Sequence, residues 1–290
     1  MTSAAYDVVA VGNAIIDLIQ AVPDSFLEEE GIPKDATSLI DEPRADHLTA
    51  RLPGAVMAAG GSAANTMTGI TSFGGKAGYI GKVADDALGE RFRKEFRAAG
   101  VHFETAARKA PPGTARSIIA VTPDGHRSMN TYLGASTHLA PEDIDADLIR
   151  SGETLFLEGY LFDRDEAKAA FIHAAEIARA AGRKVSLTLS DKFCVDRHRE
   201  SFKHLVAGHV DILFANEAEI LSLYETHSLD KAIAAAREAC LLAAITRSAD
   251  GSLVVTRDDT VTVPAMPVNK VVDSTGAGDQ YAAGFLFGYT

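Results

Sequence analysis

Asp273-Ser-Thr-Gly-Ala-Gly-Asp-Gln-Tyr-Ala-Ala-Gly-Phe-Leu286 sets two glycines around an alanine, follows them with a carboxylate and runs into an apolar segment. The small residues predict a tight turn that opens a helix, with Thr275 as its cap and Ala282, Phe285, Leu286 and Tyr289 as its buried stripe. A helix N-terminus presents unpaired backbone N–H groups and a partial positive charge, so Gly276, Ala277 and Gly278 are candidates to hold an anion. Asp279 falls in the first turn, where a carboxylate can accept the proton of a hydroxyl whose oxygen attacks a phosphoryl group. The same residues also suit a plain turn whose acid complements the helix dipole. Two better-known phosphate loops do not fit. No third glycine completes G-x-G-x-x-G here or after 8–12, and Lys76 and Lys82 lack the upstream glycine of G-x-x-x-x-G-K-[ST].

Upstream, apolar β-branched runs at 7–12, 77–83, 154–158, 185–190, 210–215 and 242–246 alternate with helical patterns at 62–73, 87–99, 166–181, 217–224 and 230–240. This alternation predicts an α/β fold, a mainly parallel central sheet flanked by helices on both faces. Ligands of such sheets sit beyond the carboxyl ends of the strands. Two polar–apolar alternating runs, 114–122 and 127–133, are joined by Pro123-Asp-Gly-His126 and predict a β-hairpin. Segments 14–22 and 37–40 can pair beside it in a small β-sheet lid. The expected division is a core from 1–13, 43–105 and 138–290, with the lid from 14–42 and 106–137.

The chain has 290 residues, 47% hydrophobic and 23% charged, enough for a sizeable core. A net charge of -12 argues against a broad nucleic-acid or anionic-membrane surface, so an anionic ligand needs a local device. The longest apolar run, 239–245, is far short of a bilayer span. Asp7 interrupts the first apolar stretch and no basic segment precedes it, so no secretory signal is expected. Cys194 and Cys240 are too few for a disulfide framework or a metal cage, which points to a reducing cytoplasm. His198, His204 and His209 lack zinc spacing and mark a solvated helix.

A second glycine-rich element, Ala59-Gly-Gly-Ser-Ala-Ala-Asn65, lies more than 200 residues before Gly276-Ala-Gly-Asp279. Between them stand Gly81-Lys-Val-Ala-Asp-Asp86 with Gly89, then Asn216-Glu-Ala-Glu219 and Thr246-Arg-Ser-Ala-Asp-Gly251. In this order the elements resemble the PfkB or ribokinase-like family of carbohydrate kinases. Gly12-Asn-Ala-Ile-Ile-Asp17, Arg127-Ser-Met-Asn-Thr-Tyr-Leu133, Leu189-Ser-Asp-Lys-Phe193 and Asp211-Ile-Leu-Phe-Ala-Asn216 are most similar to its adenosine kinase members. The resemblance implies a ribokinase-like fold and transfer of the ATP γ-phosphoryl group to the 5'-hydroxyl of a nucleoside. It implies Asp279 as base and the backbone of Gly276, Ala277 and Gly278 as anion hole.

On the acceptor side the resemblance implies Asn13, Asp17, Gly60, Gly61, Ser62 and Asn65, and a carboxylate with amides suits a ribose diol. Phe162, ahead of Tyr132, Tyr160 and Phe193, is the expected aromatic wall for a purine, and Arg127 resembles an arginine of the lid that meets the phosphate. On the ATP side Asn216, Arg247 and Gly251 are implied, with Glu219 holding Mg²⁺ through water. Asn216 and Glu219 also have capping-box spacing. Asp273 and Thr275 are the candidates for a K⁺ site. Family members continue with helices that close the adenine pocket, so the chain is expected to be shortened at its C-terminus. Two alternatives stay open: a kinase for ribose, fructose or a related sugar, and a nucleoside-binding module without turnover. A monomer or homodimer is expected.

Overall fold

The computed structural model describes residues 4–269 and 275–290, apart from the side chain of Asp163. Its strands are β1 (Tyr6–Val11), β2 (Ile15–Ala21), β3 (Thr37–Leu39), β4 (Val56–Gly60), β5 (Ala77–Ile80), β6 (His102–Phe103), β7 (Ala115–Val121), β8 (Arg127–Tyr132), β9 (Gly152–Glu158), β10 (Lys184–Thr188), β11 (Ile212–Asn216), β12 (Leu242–Thr246), β13 (Ser252–Thr256) and β14 (Thr260–Val263). Among the described residues, nine form one sheet in the order β14-β13-β12-β11-β10-β9-β1-β5-β6, and five form a second in the order β3-β8-β7-β2-β4.

From β12 across to β6 every neighbouring pair is parallel. The reason is legible in β1. Val9 and Val11 face one helix layer while Val8 and Ala10 face the other, so both sides of the strand must be apolar. The first layer includes helices Asp165–Ala180, Lys192–His209 and Leu229–Ala239. The second includes Ser62–Ser72, Ala87–Ala98 and Ala277–Tyr289. The sheet is mainly parallel, as expected, and at its edge β13 and β14 add an antiparallel hairpin beyond β12. The helix that carries the three histidines is interrupted at His198, whose φ of -122° and ψ of 22° lie outside helical geometry.

In the small sheet β7 and β8 form the expected hairpin, with Val121 opposite Arg127 and Gly125 turning the chain at φ +87°. One face of this sheet carries Ile118 and Ala120, which pack with Phe26, Leu27 and Leu48 of helices Asp24–Glu30 and Glu42–Arg51. The small sheet takes more of the chain than the segments 14–42 and 106–137. β4, within 43–105, pairs antiparallel with β2 and forms the edge strand. Asp86 ties the sheet's base to the main body: its carboxylate accepts Gly89 N–H (2.8 Å), Thr114 N–H (2.8 Å) and Thr114 Oγ1 (2.7 Å). No helix among the described residues is long and apolar enough to cross a membrane.

Candidate active site

The carboxyl ends of β1, β9, β10 and β11 open onto a cleft of 980 Å³, closed on its other sides by the small sheet and by the turn before helix Ala277–Tyr289. Gly276 caps that helix in the left-handed region (φ 73°), a conformation glycine adopts without steric cost. The turn thereby aims Ala277 and Gly278 at the cleft, which both residues line together with Thr275. Asp279 stands in the first turn, half-buried, and accepts Ser62 Oγ on Oδ1 at 2.6 Å and Asn65 Nδ2 on Oδ2 at 3.0 Å. Burial pushes the Asp279 pKa up, while the two donated hydrogen bonds pull it down.

Ser62 and Asn65 lie on the first turns of helix Ser62–Ser72, which follows β4, so the small sheet and the main body share one wall of the site. Asp17, on β2, lines the same cleft. Its pKa rises to about 7 because it is largely withdrawn from water and repelled by Asp279, against the attraction of Arg127. Asp17 approaches the backbone of β4 so closely that a Cβ on Gly60 would lie 2.3 Å from its Oδ2. Gly60 therefore shapes the wall behind Asp17 and does not itself line the cleft.

Glu158, at the end of β9, belongs to no motif and was not among the expected residues, yet it is the junction of the site. Fully buried, it accepts Asn13 Nδ2 at 2.7 Å, Ala63 N–H at 2.8 Å and Asn13 N–H at 3.3 Å. Burial raises its pKa to about 7 against those hydrogen bonds, and the charge of Asp279 adds to the rise. Asn13 is thus turned by its amide nitrogen, leaving its Oδ1 buried without a hydrogen-bond partner. The signal available in sequence was position alone: an acid at the last position of an apolar strand run, at its carboxyl end.

Asn216 and Glu219 face the cleft across β11 and form a complete capping box. Asn216 N–H and Nδ2 donate to the two Glu219 oxygens at 2.9 and 2.6 Å, and Glu219 N–H donates to Asn216 Oδ1 at 2.9 Å. Burial, with Asp191 nearby, raises the Glu219 pKa to about 7. No group of three metal-ligating side chains stands together among the described residues. A magnesium ion that arrives on a triphosphate and keeps its waters needs no such cage, and Glu219, with both oxygens already engaged, suits contact through water.

Other expected residues stand outside the cleft or at its margin. Phe162 does not reach the cleft; it is buried in the core and stacked on Phe202 with centroids 4.4 Å apart. Tyr132 turns instead towards Arg116, whose Cζ lies 5.6 Å over its ring, and packs beside Ile118. The aromatic residues that do line the cleft are Tyr160, Phe193, Phe214 and Tyr281. Phe193 is 66% exposed. Arg247 is paired with Glu217 at 2.9 Å and Gly251 turns against the backbone of Val263, so neither lines the cleft. Asp273 lies outside the described residues.

The model of the pfkB family carbohydrate kinases matches residues 6–290. The crystal structure of adenosine kinase from Sinorhizobium meliloti superposes with a TM-score of 0.91 at 53% identity, covering 99% of this chain and 88% of that one. A probable sugar kinase from Rhizobium etli CFN 42 superposes with a TM-score of 0.91 at 47% identity, covering 99% and 87%. Adenosine kinase of Saccharomyces cerevisiae is 26% identical over 305 residues, 97% of this chain and 88% of that protein. The fold is the ribokinase-like α/β fold with a second, small sheet.

Proposed function

The chain belongs to the pfkB carbohydrate kinase family, and from that premise we propose that this small-molecule kinase transfers the γ-phosphoryl group of ATP to the 5'-hydroxyl of adenosine. The observation that carries the reading is the meeting of the two glycine-rich elements: Ser62 and Asn65 hold the carboxylate of Asp279 beside the Gly276–Gly278 turn, in one cleft with Asp17.

In this reading Asp279 accepts the proton of the acceptor hydroxyl as its oxygen bonds to the γ-phosphorus and the bond to the β-phosphate oxygen breaks. The turn amides and the helix N-terminus stabilise the negative charge on the transferring group. Asp17 accepts hydrogen bonds from the ribose diol, while Asn65 and the amide of Gly61 complete the sugar contacts. Phe193 supplies an exposed ring for the purine. Asn216 and Glu219 would hold a Mg²⁺ ion through water at the triphosphate end, where it would supply charge neutralisation of the phosphates. Arg127, which is drawn electrostatically to Asp17, is the lid cation at the reacting end.

The likeness to the probable sugar kinase of R. etli favours a second reading, a sugar as acceptor. Incubating the protein with Mg²⁺, labelled ATP and, in turn, adenosine, ribose and fructose separates the two. Adenosine 5'-monophosphate is the expected product. A labelled sugar phosphate with no labelled nucleotide rejects the acceptor assignment, and adenosine binding by calorimetry with no product at all favours a binding module.

A further inference from the structure

Glu158 engages two parts of the site at once. Its Oε2 accepts Ala63 N–H at 2.8 Å and Asn13 N–H at 3.3 Å, while its Oε1 accepts Asn13 Nδ2 at 2.7 Å. The fit is tight, since a Cβ on Gly12 would lie 2.6 Å from Glu158 Oε2 and 2.5 Å from the Cβ of Ala63. Asn13 lines the cleft beside Gly61, on which a Cβ would lie 2.2 Å from the backbone carbonyl oxygen of Asn13. Asn13 is thus the neighbour of a residue that the kinase reading assigns to the sugar.

An ionised carboxylate accepts hydrogen bonds and donates none. The Asn13 amide can therefore turn only its nitrogen towards Glu158, and its Oδ1 is left buried without a hydrogen-bond partner. A buried carbonyl oxygen in that state is costly until a donor completes it. We propose that Glu158 is a positioning residue of the acceptor site: it fixes the polarity of the Asn13 amide so that an oxygen, not an amino group, is left to accept a hydroxyl hydrogen of the acceptor. The proposal rests on the kinase reading of the cleft but not on the choice of acceptor, because nucleosides and sugars both supply hydroxyls. Glu158→Gln reverses the arrangement. Two backbone N–H groups hold the new carbonyl oxygen in place of Oε2, so the new amino group takes the place of Oε1 and meets Asn13 Nδ2, donor against donor. The Asn13 amide then turns over and presents its nitrogen.

The test is a double-mutant cycle of Glu158→Gln and Asn13→Asp, assayed at about pH 8, above the Glu158 pKa of about 7. Glu158→Gln alone should lower the acceptor kcat/KM by about tenfold, the worth of one hydrogen bond, and leave the KM for ATP unchanged. Asn13→Asp alone sets a second carboxylate against Glu158 and should lower it further. Together the two changes restore a donor facing an acceptor, keep the net charge of the pair and again present an oxygen, so the double variant should surpass both single variants. Urea unfolding of the four proteins tells this apart from a merely structural role. A double variant no better than its parents, or one that regains stability but not acceptor kcat/KM, overturns the proposal, as does wild-type acceptor kcat/KM in Glu158→Gln. If a sugar is phosphorylated and adenosine is not, the nucleoside reading fails, while the cycle run on that sugar still decides the role of Glu158. Turnover of no acceptor at all removes the kinase reading and the proposal together.

Discussion

Ser62 Oγ donates a 2.6 Å hydrogen bond to Asp279 Oδ1, joining residues 217 positions apart in the chain. Asn65 holds the other carboxylate oxygen at 3.0 Å, so the carboxylate is fixed from one side by the helix that follows the small sheet. The two donors favour the ionised form of a group that burial pushes towards protonation. A base held in this way is oriented before any acceptor arrives, which limits the reorganisation left for the reacting complex.

Asp279→Asn should lower kcat by roughly 10²–10⁴-fold, the usual worth of a positioned base, while the affinity for acceptor changes little. Steady-state kinetics with isothermal titration of the acceptor checks both parts. Turnover within a few-fold of wild type removes Asp279 from the chemistry.

Acceptor recognition should be pH-dependent through Asp17. Its pKa near 7 means that protonation grows as the pH falls through that value, and a protonated carboxyl accepts fewer hydrogen bonds from a diol. The acceptor kcat/KM should therefore decline on the acid side of about pH 7. In Asp17→Asn that limb should flatten, at a lower overall level. A wild-type profile that is level from pH 6 to pH 8, values set around that pKa of about 7, contradicts the assignment.

Gly60→Ala tests how closely the small sheet must approach the site. A methyl group 2.3 Å from Asp17 Oδ2 forces the carboxylate aside, and a misplacement of about 1 Å costs about 10²-fold in such reactions. The acceptor kcat/KM should fall by that order while the KM for ATP stays near its wild-type value. An equal effect on both substrates would indicate a general loss of structure.

Glu158 should leave a signature in stability. Its folded pKa, about 7, exceeds its ordinary value of 4.5, so the folded state binds the extra proton between those limits. The contribution of Glu158 to stability therefore falls as pH rises from about 4.5 to about 7 and is level above. The difference in unfolding free energy between wild type and Glu158→Gln, measured by urea titration, should shrink over that window. A constant difference would mean that burial does not govern this carboxyl group.

The amino-acid sequence by itself determined the elements whose signals are local. Apolar runs with both faces occupied specify the buried parallel strands, as in Val8 to Val11, and Pro123-Asp-Gly-His126 specifies the hairpin turn. The Gly276-Ala-Gly-Asp279 turn is legible for the same reason, because a left-handed cap and a close approach to backbone amides restrict which residues can stand there. Tertiary structure alone decided what depends on distant partners. The pairing of β4 with β2 drew that strand into the small sheet, and nothing in its short run Val56-Met-Ala-Ala-Gly60 signals the partner. Phe162 and Phe193 are both aromatics shortly after strands, yet stacking on Phe202 buried the first and left the second at the cleft. Glu158 carries no motif; its role arises where a strand end meets Asn13 and the first turn of helix Ser62–Ser72. Periodicity and steric limits act over a few residues and can be read in order, whereas burial and the charges a group meets are properties of the packed whole.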